Sequence, residues 1–372
     1  MQLSTERPPS PRPTLLPGLS RLWRDRHTLQ LGLGPERAIL VEVADPRAAR
    51  LLDLLDGTRS ERQVLTGAGV RPEHARALLD ALRTAGLVVP AHTLLPRELA
   101  GPGRARLAAE ADALALAAAR LPGTPAQVLR RRLAARVTVT GGGPLGAAIA
   151  VALAQSGVGH VHPDLPGPVR PVDLVGTGIA AGEIGRPLDR AVRADVERAA
   201  PGTRTGPLRR HRPDLVIQLG TDRPAALLAA GYGQRRQPHL LVDVREGVPV
   251  VGPLVRPPAG PCLRCLDLHR ADRDPDWPTL AAQLASVPAA PTCAASTLLA
   301  ATGYAVAEAL GQLDGGTPES LGGAIEVAAA GHVRRRHWPP HPGCDCGAYG
   351  GAGRQPRPHG SSGHAGSVTM TK

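Results

Sequence analysis

The stretch RVTVTGGGPLGAAIAVALAQSGVGHV, residues 136 to 161, restricts the fold more than any other part of the chain. Its Val/Thr run reads as a strand, because β-branched side chains suit a pleated surface. The run ends in glycines and then becomes a continuous apolar helix. Gly141, Gly143 and Gly146 keep GxGxxG spacing between that strand and that helix, the context in which the spacing carries meaning. The first glycine permits a tight turn, and the second lets a phosphate approach the backbone. The helix start then offers unpaired N–H groups to an anion.

From residue 136 onward strands and helices alternate. RVTVT, HVHP, PDLVIQLG and HLLVDVREGVPVVGPLV read as strands. GAAIAVALAQSG, GEIGRPLDRAVRADVERAA and RPAALLAAGYGQ read as helices. This order predicts an α/β domain with a doubly wound, Rossmann-like, mostly parallel sheet over 136–347. ASTLLAATGYAVAEAL follows as a buried helix, and AIEVAAAGHVRRRHW as a late strand pair. Upstream, LWRDRHTLQLGLGPERAILVEV has the alternation and turn signals of a hairpin. Helices follow, the first with Asp45 as a cap before Pro46. Residues 18–92 thus read as a small winged-helix domain, with a domain that merely packs on the rest as the alternative. Residues 93–135 read as a helical linker. Residues 1–17 and 348–372 read as disordered, from their proline-rich and low-complexity composition.

The chain carries a net charge of +12, nearly all from arginine, and only 2% of its residues are aromatic. Such a balance favours acidic partners. The arginines are scattered and not interleaved with aromatics, so nucleic acid is a less favoured partner. No apolar run reaches the roughly 20 residues of a membrane span. The N-terminus lacks the apolar core of a signal peptide, so the expected compartment is the cytoplasm.

Four of the five cysteines fall in two close pairs: Cys262 and Cys265 in GPCLRCL, and Cys344 and Cys346 in HPGCDC. In a reducing compartment this reads as a tetrahedral structural zinc site, with free thiols as the alternative. His341, three residues before Cys344, is a competing ligand. Cys293, in PTCAAST, is either a small buried hydrophobe or a nucleophile. Asp164 lies about 20 residues past the glycines, where a ribose-binding acid belongs. Pro163, Pro166, Pro168 and Pro171 crowd it, and a surface acid is the equal alternative.

Taken together, the glycine turn, SGVGHV, GEIGRP, PDLVIQLGTD, the paired cysteines and TCAAST resemble the ThiF/MoeB-like superfamily of ubiquitin-activating-type adenylyltransferases, over about 125–347. The resemblance implies ATP with magnesium, used to adenylate the C-terminal carboxylate of a carrier protein or peptide. It places Gly141, Gly143 and Gly146 at the phosphates and Asp222 at the magnesium. Cys293 falls near the nucleophile loop. The family's asparagine after that aspartate is Arg223 here. DLVGTGI stands in place of the family's Asn-Leu-x-Arg-Gln segment, and Leu188 in place of its lysine. Loss of both cations removes charge stabilisation from phosphate chemistry.

The N-terminal segment, LLDLLDGTRSERQVL with LLDALRTAGLVV, resembles winged-helix peptide-recognition domains of the PqqD type. The fusion resembles the leader-peptide-binding partners of YcaO cyclodehydratases. The first reading is therefore a zinc-stapled accessory protein that binds a precursor (leader) peptide for a separate modifying enzyme. The alternative is an active adenylyltransferase. A homodimer stays open under both, and an NAD-dependent oxidoreductase lacks a recognisable His/Lys/Tyr set.

Overall fold

The computed structural model describes residues 12–34, 38–43, 45–99, 101–117, 122–220, 225–284, 292–328 and 331–346. The N-terminal unit opens with β1 (Pro13–Leu15). It continues through β2 (Arg21–Trp23), β3 (Thr28–Leu31) and β4 (Ile39–Glu42). Then come α1 (Arg50–Leu54), α2 (Glu61–Gly67), α3 (Pro72–Thr84) and β5 (Val88–Pro90). Ser60 and Gln63 form a reciprocal cap at the start of α2, and the Asp45 carboxylate accepts from the Arg47 N–H at 2.8 Å.

Two expectations for this unit need correcting. The hairpin is a three-stranded antiparallel sheet in the order β2-β3-β4, because RLW pairs with TLQL ahead of ILVE. Residues 13–15, placed in a disordered segment from proline content, form β1, which pairs antiparallel with β5. Thr14 and Leu15 are buried there, and that burial outweighs the local composition. Apolar side chains of the strands and all three helices meet in one core that includes Leu31, Leu51, Val64, Leu79 and Leu82.

The linker is two helices, α4 (Gly101–Leu116) and α5 (Pro125–Ala134). They pack on each other through Leu107, Ala111 and Leu129. Buried Arg132 of α5 binds Asp314 bidentately at 2.8 and 2.7 Å and also contacts Glu110 of α4. Removing one partner of such a group costs about 3–5 kcal/mol, so the linker is fastened to the sheet domain.

That domain runs β6 (Arg136–Gly141), α6 (Gly146–Gln155), β7 (His160–Asp164), α7 (Leu188–Ala199), β8 (Leu215–Leu219) and α8 (Ala225–Gln234). It continues through β9 (His239–Arg245), β10 (Val248–Val255), α9 (Leu263–Arg273) and α10 (Trp277–Leu284). It ends with α11 (Ala295–Leu313), β11 (Gly323–Val327) and β12 (Val333–His337). The seven-stranded sheet has the order β12-β11-β10-β9-β8-β6-β7. Strands β7, β6, β8 and β9 are parallel, and β9 through β12 pair antiparallel. Strand β6 lies between the second strand and the third, which is the doubly wound arrangement expected. Helices α6, α7 and α11 share one core with the sheet. Leu228 of α8 and Leu263 of α9 cover the other face through Leu241 and Val255. No helix among the described residues is long and apolar enough to cross a membrane.

Candidate functional site

The glycine turn sits where β6 meets α6. Gly141 has a φ of +100°, and a Cβ there would run into the Leu219 carbonyl and stand 2.8 Å from Gln218 Nε2. A Cβ at Gly146 would stand 2.5 Å from Leu219 Cδ1 and 2.8 Å from Leu165 Cδ2. Both positions need glycine for the protein's own packing. Gly142 and Gly143 do not. A Cβ at Gly142 would meet nothing within 4 Å, and one at Gly143 only Leu219 Cβ at an ordinary 3.6 Å. Among the described residues, the outer side of the turn is therefore open space bordered by backbone and a helix N-terminus, a setting that suits an anion.

Asp164 ends β7 beside this turn. It is in register with Thr140 of β6 and accepts from the Thr140 hydroxyl at 2.8 Å. Thr140 is a partner that spacing alone did not reveal. Gly220, at the end of β8, packs against the Gly142 carbonyl, so β8 also runs out at the turn. Asp222 and Arg223 lie outside the described residues. Leu188 is buried in the main core at the start of α7, with its side chain among aliphatic neighbours. Arg170, the arginine ahead of DLVGTGI, is bound bidentately to buried Asp173 at 3.0 and 2.9 Å.

The four paired cysteines converge. Cys262 caps α9 and Cys265 lies in its first turn, so both point from one helix end. Cys344 and Cys346 follow β12. Their Sγ atoms stand 3.9 Å apart for Cys262–Cys265, and 3.6 Å apart for Cys262–Cys344 and Cys265–Cys346. These spacings are far too long for disulfides. They match the roughly 3.8 Å edge of a tetrahedron with zinc–sulfur bonds of about 2.3 Å. Burial, with the neighbouring sulfurs, pushes the Cys262 thiol up to about 11 and raises Cys344 as well. A divalent ion reverses that preference by taking the thiolates as ligands. The cluster fits structural zinc, which would tie the end of the described chain to α9.

His341 does not join the sulfurs. Its Nε2–H donates to Asp272 at 2.7 Å, and its Nδ1 accepts from the Gly343 N–H at 3.0 Å. With His269 it forms a second cluster beside the cysteines. The i, i+3 spacing of His269 and Asp272 on α9 was the available signal for it.

Cys293 stands apart, just before α11, half-buried against the rim of the main core. Burial raises its thiol above the ordinary range. An activated nucleophile requires the opposite shift. In the N-terminal unit, Asp45, Arg47, Gly69, Val70, Arg71 and His74 line a surface cavity of about 600 Å³. Arg37, between β3 and β4, lies outside the described residues.

No protein-family model matches the sequence, and no curated protein matches it. Solved structures do share the fold. Escherichia coli MccB, solved with MccA-N7isoASN, superposes with a TM-score of 0.65 at 14% identity, covering 90% of this chain and 99% of that one. MccB solved with ATP gives 0.63 at 14%, with the same coverage. PaaA gives 0.62 at 14%, over 86% of this chain and 98% of that one. The mixed α/β architecture, with a small antiparallel N-terminal domain, is therefore that of the MccB and ThiF-like fold.

Proposed function

We propose that this chain binds a precursor peptide through its N-terminal unit and presents it to a separate modifying enzyme, such as a YcaO-type cyclodehydratase, in ribosomal peptide biosynthesis. The observation that carries this reading is the free edge of β4. The Val43 N–H donates to the His27 carbonyl, and Ile39 and Val41 share its orientation toward β3. Antiparallel strands alternate the direction of their N–H groups, so those of Leu40 and Glu42 point outward. Among the described residues no strand pairs with that edge. Leu40 is 50% exposed and Leu22 44%, and both are in register with Gln30 on one face. An extended peptide can add here as a fourth strand, with apolar contacts beside it. MccB, a microcin C7 biosynthetic enzyme, has been solved in complex with N-formylated MccA, which supports the peptide reading.

Leu188 is buried and Arg170 is bound to Asp173, so on this reading neither position supplies a free cation to the glycine turn. Nucleotide binding there is weak on this reading, and turnover is absent or very slow. The second reading, an active adenylyltransferase, draws on the open face of Gly142 and Gly143 and on the Thr140–Asp164 pair.

The test titrates the full-length chain against a short precursor encoded beside it, followed by fluorescence polarisation. Binding at micromolar concentration or tighter is expected. Leu40→Pro should weaken it about tenfold, the worth of one or two main-chain hydrogen bonds. The ladder to β3 uses the other N–H groups, so the melting temperature should hardly change. Absence of binding by the intact chain would end this reading. Robust pyrophosphate exchange with that peptide, dependent on Asp222, would install the second.

A further inference from the structure

We propose that His269, Asp272 and His341 form a second divalent-metal site, beside the four cysteines and separate from them. The ligand atoms of the three side chains lie within 4.8 Å of one another. His269 and Asp272 are one turn apart on α9, so one helix face supplies two of them. His341 comes from the segment between β12 and the second cysteine pair. Two imidazoles and one carboxylate suit zinc, cobalt or nickel, and three protein ligands leave a position open to water.

His269 keeps one ring nitrogen available as a ligand. Its Nε2–H donates to the Pro339 carbonyl at 2.9 Å, which leaves Nδ1 with a free lone pair. Metal-binding histidines are fixed in this way by a carbonyl on the far ring nitrogen. The rings of His269 and His341 meet edge to face, with centroids 4.7 Å apart. Asp272 is mostly exposed and free to adjust, whereas His341 is nearly buried. Donors around a tetrahedral ion stand about 3.4 Å apart, given bonds of roughly 2.0–2.1 Å. The cluster therefore has to contract by about 1.5 Å or less, within reach of a change in the Asp272 rotamer.

A proton now stands where the ion would sit. His341 Nδ1 accepts from the Gly343 N–H, so the neutral ring carries its proton on Nε2, aimed at Asp272. An ion replaces that proton, moves the ring proton to Nδ1 and breaks the Gly343 bond. One neutral hydrogen bond is worth about tenfold in affinity, which three metal–ligand bonds outweigh. The ion would fasten α9 to the same C-terminal segment that the cysteines hold.

The experiment starts from full-length protein carrying one zinc on its cysteines and adds Co2+ under equilibrium dialysis. A second metal equivalent is expected, with visible d–d bands of tetrahedral cobalt and no thiolate-to-cobalt charge transfer. His269→Ala and Asp272→Ala should each weaken it at least tenfold and leave the zinc in place. His269 is only half-buried, so its variant is expected to fold, with circular dichroism as the check. Three results would overturn the proposal. The first is no second equivalent in the unaltered chain. The second is one that survives both variants, which places it on other histidines such as His359 and His364. The third is cobalt uptake accompanied by thiolate charge transfer and zinc release, which is exchange at the cysteines.

Discussion

Adding one methyl group at Gly143 and, separately, at Gly141 distinguishes a turn kept for packing from a turn kept for a ligand. At Gly141 the backbone φ of +100° is one that L side chains rarely adopt, and the new Cβ meets the Leu219 carbonyl. The backbone conformation alone costs on the order of 1–3 kcal/mol, and the contact adds to it. A total of about 2–4 kcal/mol lowers the melting temperature by roughly 4–16 °C for a domain of this size. At Gly143 the φ is not positive and the new Cβ finds only Leu219 Cβ at 3.6 Å. Gly→Ala at such a compatible position stabilises by about 0.4–1 kcal/mol, through the unfolded chain. Gly143→Ala should therefore melt at the same temperature or a few degrees higher. If phosphate approaches the backbone there, the same methyl should weaken ATP binding about tenfold or more, or roughly 1.4 kcal/mol. Calorimetric melting and equilibrium nucleotide binding on both variants make the comparison. Equal loss of stability would refute the packing argument. ATP binding that ignores Gly143→Ala would refute the phosphate path.

Elemental analysis of protein purified without added metal should find one thiolate-bound zinc per chain, and Cys262→Ser should lose it and melt on the order of 10 °C lower. A metal-free chain of unchanged stability would contradict this. Cys293 is raised by burial, so its alkylation should remain slow at neutral pH and accelerate only above the ordinary thiol range. Cys293→Ala should leave biosynthetic output nearly intact, whereas loss of product by a folded variant would argue for covalent catalysis. His239 is buried, stacks on Tyr232 at 4.4 Å and donates from Nδ1 to the Gln237 carbonyl. Burial depresses it to about 4 from the usual 6.5, so the unfolded chain binds the extra proton first. Stability is full above about 6.5 and falls by about 3 kcal/mol as the pH drops toward 4, and His239→Gln should flatten that slope. An unchanged slope in the variant would assign the acid loss to other groups.

The sheet domain was legible because its signals are local. Val/Thr alternation, the glycine spacing and the long apolar helices each report on a few consecutive residues, and all pointed to the same fold. The cysteine pairs were legible for a different reason: thiolate chemistry narrows what two CxxC-like pairs can do, even 82 residues apart from Cys262 to Cys344. What escaped was set by contacts that local composition does not encode. Pro13–Leu15 reads as disordered by its prolines, yet it closes the N-terminal unit against Val88–Pro90. His341 reads as a competing zinc ligand by its distance in sequence, yet the helical turn carrying Asp272 takes it.

The glycine turn marks the boundary between these two kinds of reading. A GxGxxG spacing merges two demands that the structure separates. Gly141 and Gly146 answer to Leu219 and Leu165, and would be glycine in a protein that never met a nucleotide. Gly142 and Gly143 have no such reason. Leu188 stands where the ThiF/MoeB-like resemblance implies a lysine, and its side chain lies in aliphatic core. On the proposed reading, an open backbone without that cation gives weak binding without turnover, because binding rests on N–H groups and phosphoryl chemistry on charge. A site altered in this way can still hold a nucleotide as a structural ligand, so nucleotide affinity and turnover have to be measured separately.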